Sequence, residues 1–332
     1  MPWLAGASML SVAGYMCTSS VLLLLNKLAI HFLQAPSLIL ALQLICSAAA
    51  VRLAGACGLI TVDALEWSKV KAFAPVSVTF VTLIFANIKT LQYANVETFI
   101  VFRSSTPVAI SLLEYLYQGR ELPTFRGWLC LGWMVAGAAG YTYTDAAFKV
   151  SGYSWVAVWY VVFVFDQIYV KHVVSSVKME SMWGRVYYSN LLAVPLLLCT
   201  GTLDAETTTL VENWSTNGAL ALIVSCVAGL SMSYFSWSVR AQLSASHFTV
   251  VGNICKIATV MLNVAVWDQH ATPLGFAALS ITLGAAFYYA PAPFRAVEMK
   301  EAKSKRSTSP AARKPSRSRS PKRKAAISKK TE

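Results

Sequence analysis

Long apolar runs separated by short polar breaks are the dominant pattern along this chain. About 20 residues in a helix cross the ~30 Å hydrocarbon layer of a membrane. Ten runs reach that length, near 7–28, 36–55, 73–93, 95–118, 125–144, 153–173, 186–203, 218–239, 247–267 and 272–290. The breaks between them are short, which predicts one compact bundle. The fold class expected is therefore an all-α polytopic membrane protein with ten transmembrane helices.

Polar residues inside those runs stand out, because a Lys at the centre of a membrane helix costs roughly 2.5–3.5 kcal/mol on insertion scales. The sharpest case is Phe248-Thr249-Val250-Val251-Gly252-Asn253-Ile254-Cys255-Lys256, inside the run from His247 to Trp267. A buried lysine of this kind faces a watery cavity or a partner, and Gly252, one turn earlier, allows close approach to the backbone. The alternative is a lysine that snorkels from a helix end. The further apolar course from Ile257 to Val266, interrupted only by Thr259 and Asn263, argues against it. Lys27, Lys89, Arg103, Glu114, Asp166, Tyr187, Tyr188 and Asn190 also fall within runs.

Arg103 is followed by Ser104-Ser105-Thr106-Pro107, and the proline removes a backbone donor. Freed carbonyls and hydroxyls beside a fixed charge make a candidate polar pocket. Three bases expected to be buried, Lys27, Arg103 and Lys256, point to an anionic substrate such as a phosphate or diphosphate. Glu114 and Asp166 are open between pairing with such a base, a place at the cytosolic boundary, and a coupling or gating role.

The two halves of the chain echo one another. Ala94-Asn95-Val96-Glu97-Thr98 resembles Ala245-Ser246-His247-Phe248-Thr249, and each opens a run carrying a base. Pro123 and Pro273 follow at similar spacing, and Gly137-Ala138-Ala139-Gly140-Tyr141 matches Gly284-Ala285-Ala286-Phe287-Tyr288. Two five-span repeats in series are inverted with respect to one another, an arrangement suited to alternating access around a central site. The division expected is a transporter domain at 1–290, with repeats at about 7–144 and 153–290, and a tail at 291–332.

Charge refines this picture. The formal net charge is +13, but residues 291–332 hold fourteen Lys/Arg and three acids, so +11 belongs to the tail. That tail is Lys, Arg, Ser and Pro with almost no large apolar residues, and disorder is expected. Ser316-Arg317-Ser318-Arg319-Ser320-Pro321 resembles an RS segment, yet after ten spans a basic tail beside anionic lipid is the better reading, and no nucleic acid is expected as a partner. The chain ends Lys329-Lys330-Thr331-Glu332, which resembles a dilysine retrieval signal for coat proteins.

With ten spans both termini share a side. The loops on that side hold Arg52, Lys69, Lys71, Arg120, Arg126, Lys171, Lys178, Arg185 and Arg240, against Lys149 alone opposite. That asymmetry puts both termini in the cytosol. The largest opposite loop, Gly201 to Asn217, has three acids and the sequon Asn213-Trp214-Ser215.

Seven cysteines show neither metal-ligand nor disulfide-framework spacing, so no metal or cofactor is expected. Phosphate-binding Gly-rich loops, HExxH and nucleophile elbows are missing, and no enzyme is expected. The histidines, His31, His172, His247 and His270, fall at run ends and read as interfacial.

At these residues the chain resembles the nucleotide-sugar transporters of the drug/metabolite transporter superfamily, in the plant and algal GDP-sugar branch of GDP-mannose, GDP-fucose and GDP-galactose carriers. The resemblance rests on the stretch from Ala94 to Pro107, on Tyr169-Val170-Lys171-His172, and on Trp267-Asp268-Gln269-His270-Ala271-Thr272-Pro273. It covers most of residues 10–290.

Two family motifs form the ligand site. Tyr187-Tyr188-Ser189-Asn190 stands where the family has Phe-Tyr-Asn-Asn, and Gly252-Asn253-Ile254-Cys255-Lys256 where it has Gly-Ala-Leu-Asn-Lys. The resemblance implies that Asn190 and Ser189, with Tyr188 beside them, read guanine, that Lys256 neutralises the diphosphate, and that Gly252 gives close approach. Cys255 replaces an amide, and Phe248 replaces a tyrosine that contacts sugar in mannose carriers, which leaves fucose or another sugar open.

The expected function is import of a GDP-sugar into the Golgi in exchange for GMP, by a multi-pass protein, with cycling through the endoplasmic reticulum by way of its terminal lysines as a further expectation. A homodimer is open. A sugar-phosphate exchanger of the same fold and a non-transporting scaffold acting through the basic tail are the alternatives.

Overall fold

The computed structural model describes residues 9–93, 96–144, 153–203, 206–255, 273–290 and 292–293. Lys256 and the tail with Lys329 and Lys330 lie outside them, as does the 267–272 stretch. Every regular element described is a helix: α1 Met9–Leu33, α2 Pro36–Ala56, α3 Trp67–Tyr93, α4 Val96–Tyr117, α5 Phe125–Thr144, α6 Tyr153–Ser176, α7 Met182–Leu203, α8 Glu206–Glu212, α9 Thr216–Gln242, α10 at 245–255 and α11 Pro273–Tyr288. In lipid no water satisfies backbone groups, so each apolar run closes its hydrogen bonds within itself.

Among the described residues five helices are long and apolar enough to cross a membrane: α1, α2, α3, α6 and α9. Taking α7 with α8 as one broken span makes six. The expectation of ten is thus met in part. α4 carries Arg103, Glu114 and the tract Ser104-Ser105-Thr106 within its length. α11 has 16 residues, about 24 Å at 1.5 Å per residue. α10 is described only over 245–255.

α1 packs on α9, α2 on α7 and α9, α3 on α6 and α7, α4 on α5 and α6, and α5 on α11. α10 is held between α1 and α11: Phe248, Val251 and Cys255 join Tyr15 and Val12, while Val250 and Ile254 join Ala286 and Tyr289. Apolar side chains gain little from leaving lipid for one another, so close packing and polar contacts carry the association. At Gly137 the chain shows this need directly. A Cβ there would press on the Thr282 hydroxyl and stand 2.8 Å from the Ala278 carbonyl, so only glycine lets α11 approach α5.

Helix ends are fixed by buried carboxylates. Glu206 accepts the Leu38 amide at 2.9 Å, a negative charge at the positive end of α2. Glu114 does the same for α10, accepting the Ala245 amide at 2.8 Å and the Ser246 hydroxyl. It also lies 3.6 Å from Arg120. Arg120 sits between α4 and α5 and donates to the Ala292 carbonyl at 2.8 Å. Burial pulls its guanidinium below the usual arginine range, with the Glu114 carboxylate acting the other way. Glu114 therefore pairs with a base outside the three expected ones.

Two assignments change. Of the bases expected in loops, Arg52 stands in helix α2, Lys69 and Lys71 in α3, Arg126 in α5, Lys171 in α6, Arg185 in α7 and Arg240 in α9. His247 is fully buried and meets Tyr289 edge-on at 5.5 Å, because Glu114 and Tyr289 close over the start of α10; it is not interfacial.

Candidate functional site

A cavity of about 360 Å³ lies among α1, α2, α3, α6, α7 and α9, a size within the ~300–1,000 Å³ of small-ligand sites. From α9 it takes Gly229, Met232, Ser233, Ser236, Trp237 and Arg240, a spacing of three and four that puts them on one helical face. α2 and α3 contribute Leu40, Leu44, Val76, Phe80 and Ile84, with Gln43, Ser47 and Ser77 among them. Asp166, Ser189, Asn190 and the α9 serines make the more polar wall.

α7 divides the motif Tyr187-Tyr188-Ser189-Asn190 between two surroundings. Ser189 and Asn190 line the cavity. The Asn190 side-chain nitrogen is buried with no hydrogen-bond partner among the described residues. A buried amide donor left unmatched costs about 1–3 kcal/mol, so its retention calls for an explanation. Ser189 is more engaged: its hydroxyl donates to the Arg185 carbonyl at 2.9 Å and accepts from the Trp237 indole at 3.0 Å. Tyr188 does not line the cavity. It is fully buried, its hydroxyl donates to the Ala64 carbonyl at 2.6 Å, and it accepts the Glu66 amide at 2.7 Å. It ties α7 to the α2–α3 connection.

Charge enters the cavity through Asp166 and Arg240. Asp166 accepts from Thr79 at 2.7 Å and from Gln167 at 3.0 Å. Arg240 lies 4.0 Å from Asp166, donates to Gln167 at 3.3 Å, and stacks 4.1 Å from the centroid of Phe248. Lys171 holds the backbone at this point, donating to the Arg240 carbonyl at 3.0 Å. Sequence reasoning missed Arg240 because it closes an apolar run and reads as a boundary charge. The one signal was its place on the α9 face of Ser233, Ser236 and Trp237.

The remaining residues singled out gather around α10. Phe248 meets the Tyr15 ring at 5.2 Å, and Cys255 is buried in the same cluster. A Cβ on Gly252 would stand 3.6 Å from the Tyr15 hydroxyl, an ordinary contact, so packing alone does not demand glycine. Arg103 places its guanidinium 5.5 Å from the Phe163 centroid and 5.9 Å from that of Trp159, with its Nε buried and unpartnered among the described residues.

Pro107 cannot donate to the carbonyl four residues back, which is that of Arg103. That carbonyl instead accepts from the Thr106 hydroxyl at 2.6 Å and the Asn253 amide at 3.4 Å. Lys27 is exposed and does not line the cavity, a correction to its expected burial. Its neighbour Asn26 faces inward and accepts from Gln43 at 2.8 Å. No cluster of metal-ligating side chains occurs among the described residues.

The chain is similar to GDP-fucose transporter 1 of Arabidopsis thaliana, 39% identical over 280 residues that cover 82% of each chain. It is also similar to GDP-mannose transporter GONST3 of Arabidopsis thaliana, 36% identical over 278 residues, covering 82% of this chain and 74% of that one. GDP-mannose transporter 1 of Emericella nidulans is 25% identical over 305 residues, covering 85% and 79%. A solved structure titled only "Crystal structure of protein" superposes with a TM-score of 0.62 at 15% identity, covering 84% of this chain and 94% of that one, a likeness of fold. No family model matches the chain.

Proposed function

The chain belongs to the plant GDP-sugar transporters, and from that premise we propose that it imports a GDP-sugar into the Golgi lumen in exchange for GMP, by alternating access. The observation that carries the site is the unpartnered Asn190 amide on the polar wall of the cavity. Asn190, with Ser189 beside it, hydrogen-bonds the guanine edge. Lys256 neutralises the diphosphate, Gly252 lets the substrate reach the α10 backbone, and Arg103 adds positive charge from α4. Phe248 lacks the hydroxyl of the tyrosine that contacts sugar in mannose carriers, which weighs against strict mannose selection and leaves GDP-fucose and GDP-galactose as candidates.

Helix pairing supports two inverted five-helix halves, α1–α5 and α6, α7, α9, α10, α11. Exchanging corresponding helices turns the α1–α9 pair into α6–α3, and α2–α9 into α7–α3. It turns α4–α6 into α10–α1, and the α2–α7 and α5–α11 pairs map onto themselves. Such repeats place substrate between them and rock about it. The basic bias of one side supports cytosolic termini.

The test is uptake of labelled nucleotide sugars into proteoliposomes preloaded with GMP, UMP or AMP. Stimulation by GMP alone is expected, and it identifies the sugar in the same experiment. Stimulation by UMP or AMP overturns the guanine assignment, and uptake of sugar phosphates alone overturns the substrate class. Lys256→Ala is expected to express normally and to lose exchange; normal transport by that variant sinks the diphosphate role.

A further inference from the structure

Arg240 is the one cation lining the main cavity among the described residues, and its internal pairing is loose. An arginine carries five N–H donors. Here one reaches Gln167 at 3.3 Å, while Asp166 stands 4.0 Å away, beyond hydrogen-bond distance. Asp166 does not depend on Arg240, since Thr79 and Gln167 each donate to one of its oxygens at 2.7 and 3.0 Å. The carboxylate can stay in place when the guanidinium moves.

The backbone beneath Arg240 is fixed by Lys171, and the Phe248 face 4.1 Å away holds the guanidinium plane. What can move is the side chain, sliding across that ring face. Across the same cavity the Asn190 amide nitrogen lacks a partner among the described residues.

We propose that Arg240 is a phosphate-binding residue of the transport site, loosely paired with Asp166 and free to turn to the phosphate of a bound guanine nucleotide. This rests on the GDP-sugar reading above. A phosphate presents three oxygens to the guanidinium fork, a better acceptor set than one carboxylate oxygen at 4.0 Å. Asp166 then faces the anion and opposes it. Its charge limits affinity, as a carrier that must release its cargo requires, and it neutralises Arg240 when the cavity is empty.

The experiment measures binding of guanosine, GMP and GDP to the full-length purified protein. Wild type should prefer GMP to guanosine. Arg240→Ala should cut that preference by roughly tenfold or more while leaving guanosine affinity unchanged, the loss corresponding to one charged hydrogen-bonding group. Arg240→Lys should restore part of it. Asp166→Asn, which keeps an oxygen for Thr79, should tighten GMP binding severalfold without affecting guanosine.

An Arg240→Ala protein with the wild-type preference overturns the proposal, as does one that loses guanosine and GMP equally. Unchanged or weaker GMP binding by Asp166→Asn also overturns it. If Arg240→Ala does not fold, Arg240→Lys and Asp166→Asn decide by the same criteria. Wild-type protein that binds no guanine nucleotide defeats the GDP-sugar reading instead, before any variant is compared.

Discussion

At the scale of single residues, two positions on α7 separated by one residue have opposite duties. Tyr188 spends its hydroxyl on Ala64 and Glu66, whereas Asn190 leaves its amide nitrogen unmatched in the cavity. Tyr188→Phe is expected to lower stability by about 1–3 kcal/mol, since it orphans the Glu66 amide, while exchange per folded molecule is retained. Asn190→Ala should be neutral or stabilising in thermal unfolding and yet lose most exchange. The two assays run side by side on both variants check the division; loss of exchange by Tyr188→Phe at full folding would assign that hydroxyl to substrate. Gly252 makes a similar test. The Cβ of Gly252→Ala fits against Tyr15 at 3.6 Å, so the variant should fold with an unchanged Tm and show reduced exchange if substrate needs that space.

At the scale of helices, small residues decide how closely neighbours come. A Cβ on Gly137 would stand 2.8 Å from the Ala278 carbonyl of the α11 backbone, and backbone cannot swing aside as a side chain can. Gly137→Ala is therefore expected to destabilise the α5–α11 pair by about 1–3 kcal/mol, the usual penalty for overpacking. Gly140→Ala, whose Cβ would stand 3.7 Å from Ala278, should be tolerated. Thermal unfolding of both variants in detergent checks this, and equal stability would remove the close approach as a determinant of packing. The apparent sequence match between Gly137 and Gly284 does not extend to packing among the described residues, where nothing stands within 4 Å of a Cβ on Gly284.

At the scale of the molecule, the proposed function assigns transport to the bundle and address to the basic tail. Among the described residues, the cavity lining comes from α1, α2, α3, α6, α7 and α9. Truncation after Pro293 is expected to leave GMP-stimulated uptake in proteoliposomes intact and to shift the protein's distribution between Golgi and endoplasmic reticulum. Uptake and fluorescence localisation of the truncated chain test the two halves of that statement; loss of uptake with correct folding would give weight to a scaffold role for the tail.

The sequence by itself determined where the helices are. Run length is a local property, and the expected limits at 36–55 and 125–144 meet the observed Pro36–Ala56 and Phe125–Thr144 almost residue for residue. It also determined the chemistry of α7 and α10, through polar residues too costly to leave in lipid without a use. What it could not carry was facing and partnership. Each residue turns about 100° around a helix axis, so one position decides between cavity and outer surface.

Tertiary packing alone turned Lys27 outward and Asn26 inward, gave the Tyr188 hydroxyl to a loop, and set Glu114 over the start of α10. It drew Arg240 from an apparent boundary into the cavity wall beside Asp166, because the helices packed around α9, and not its own sequence, decide which of its faces meets the cavity.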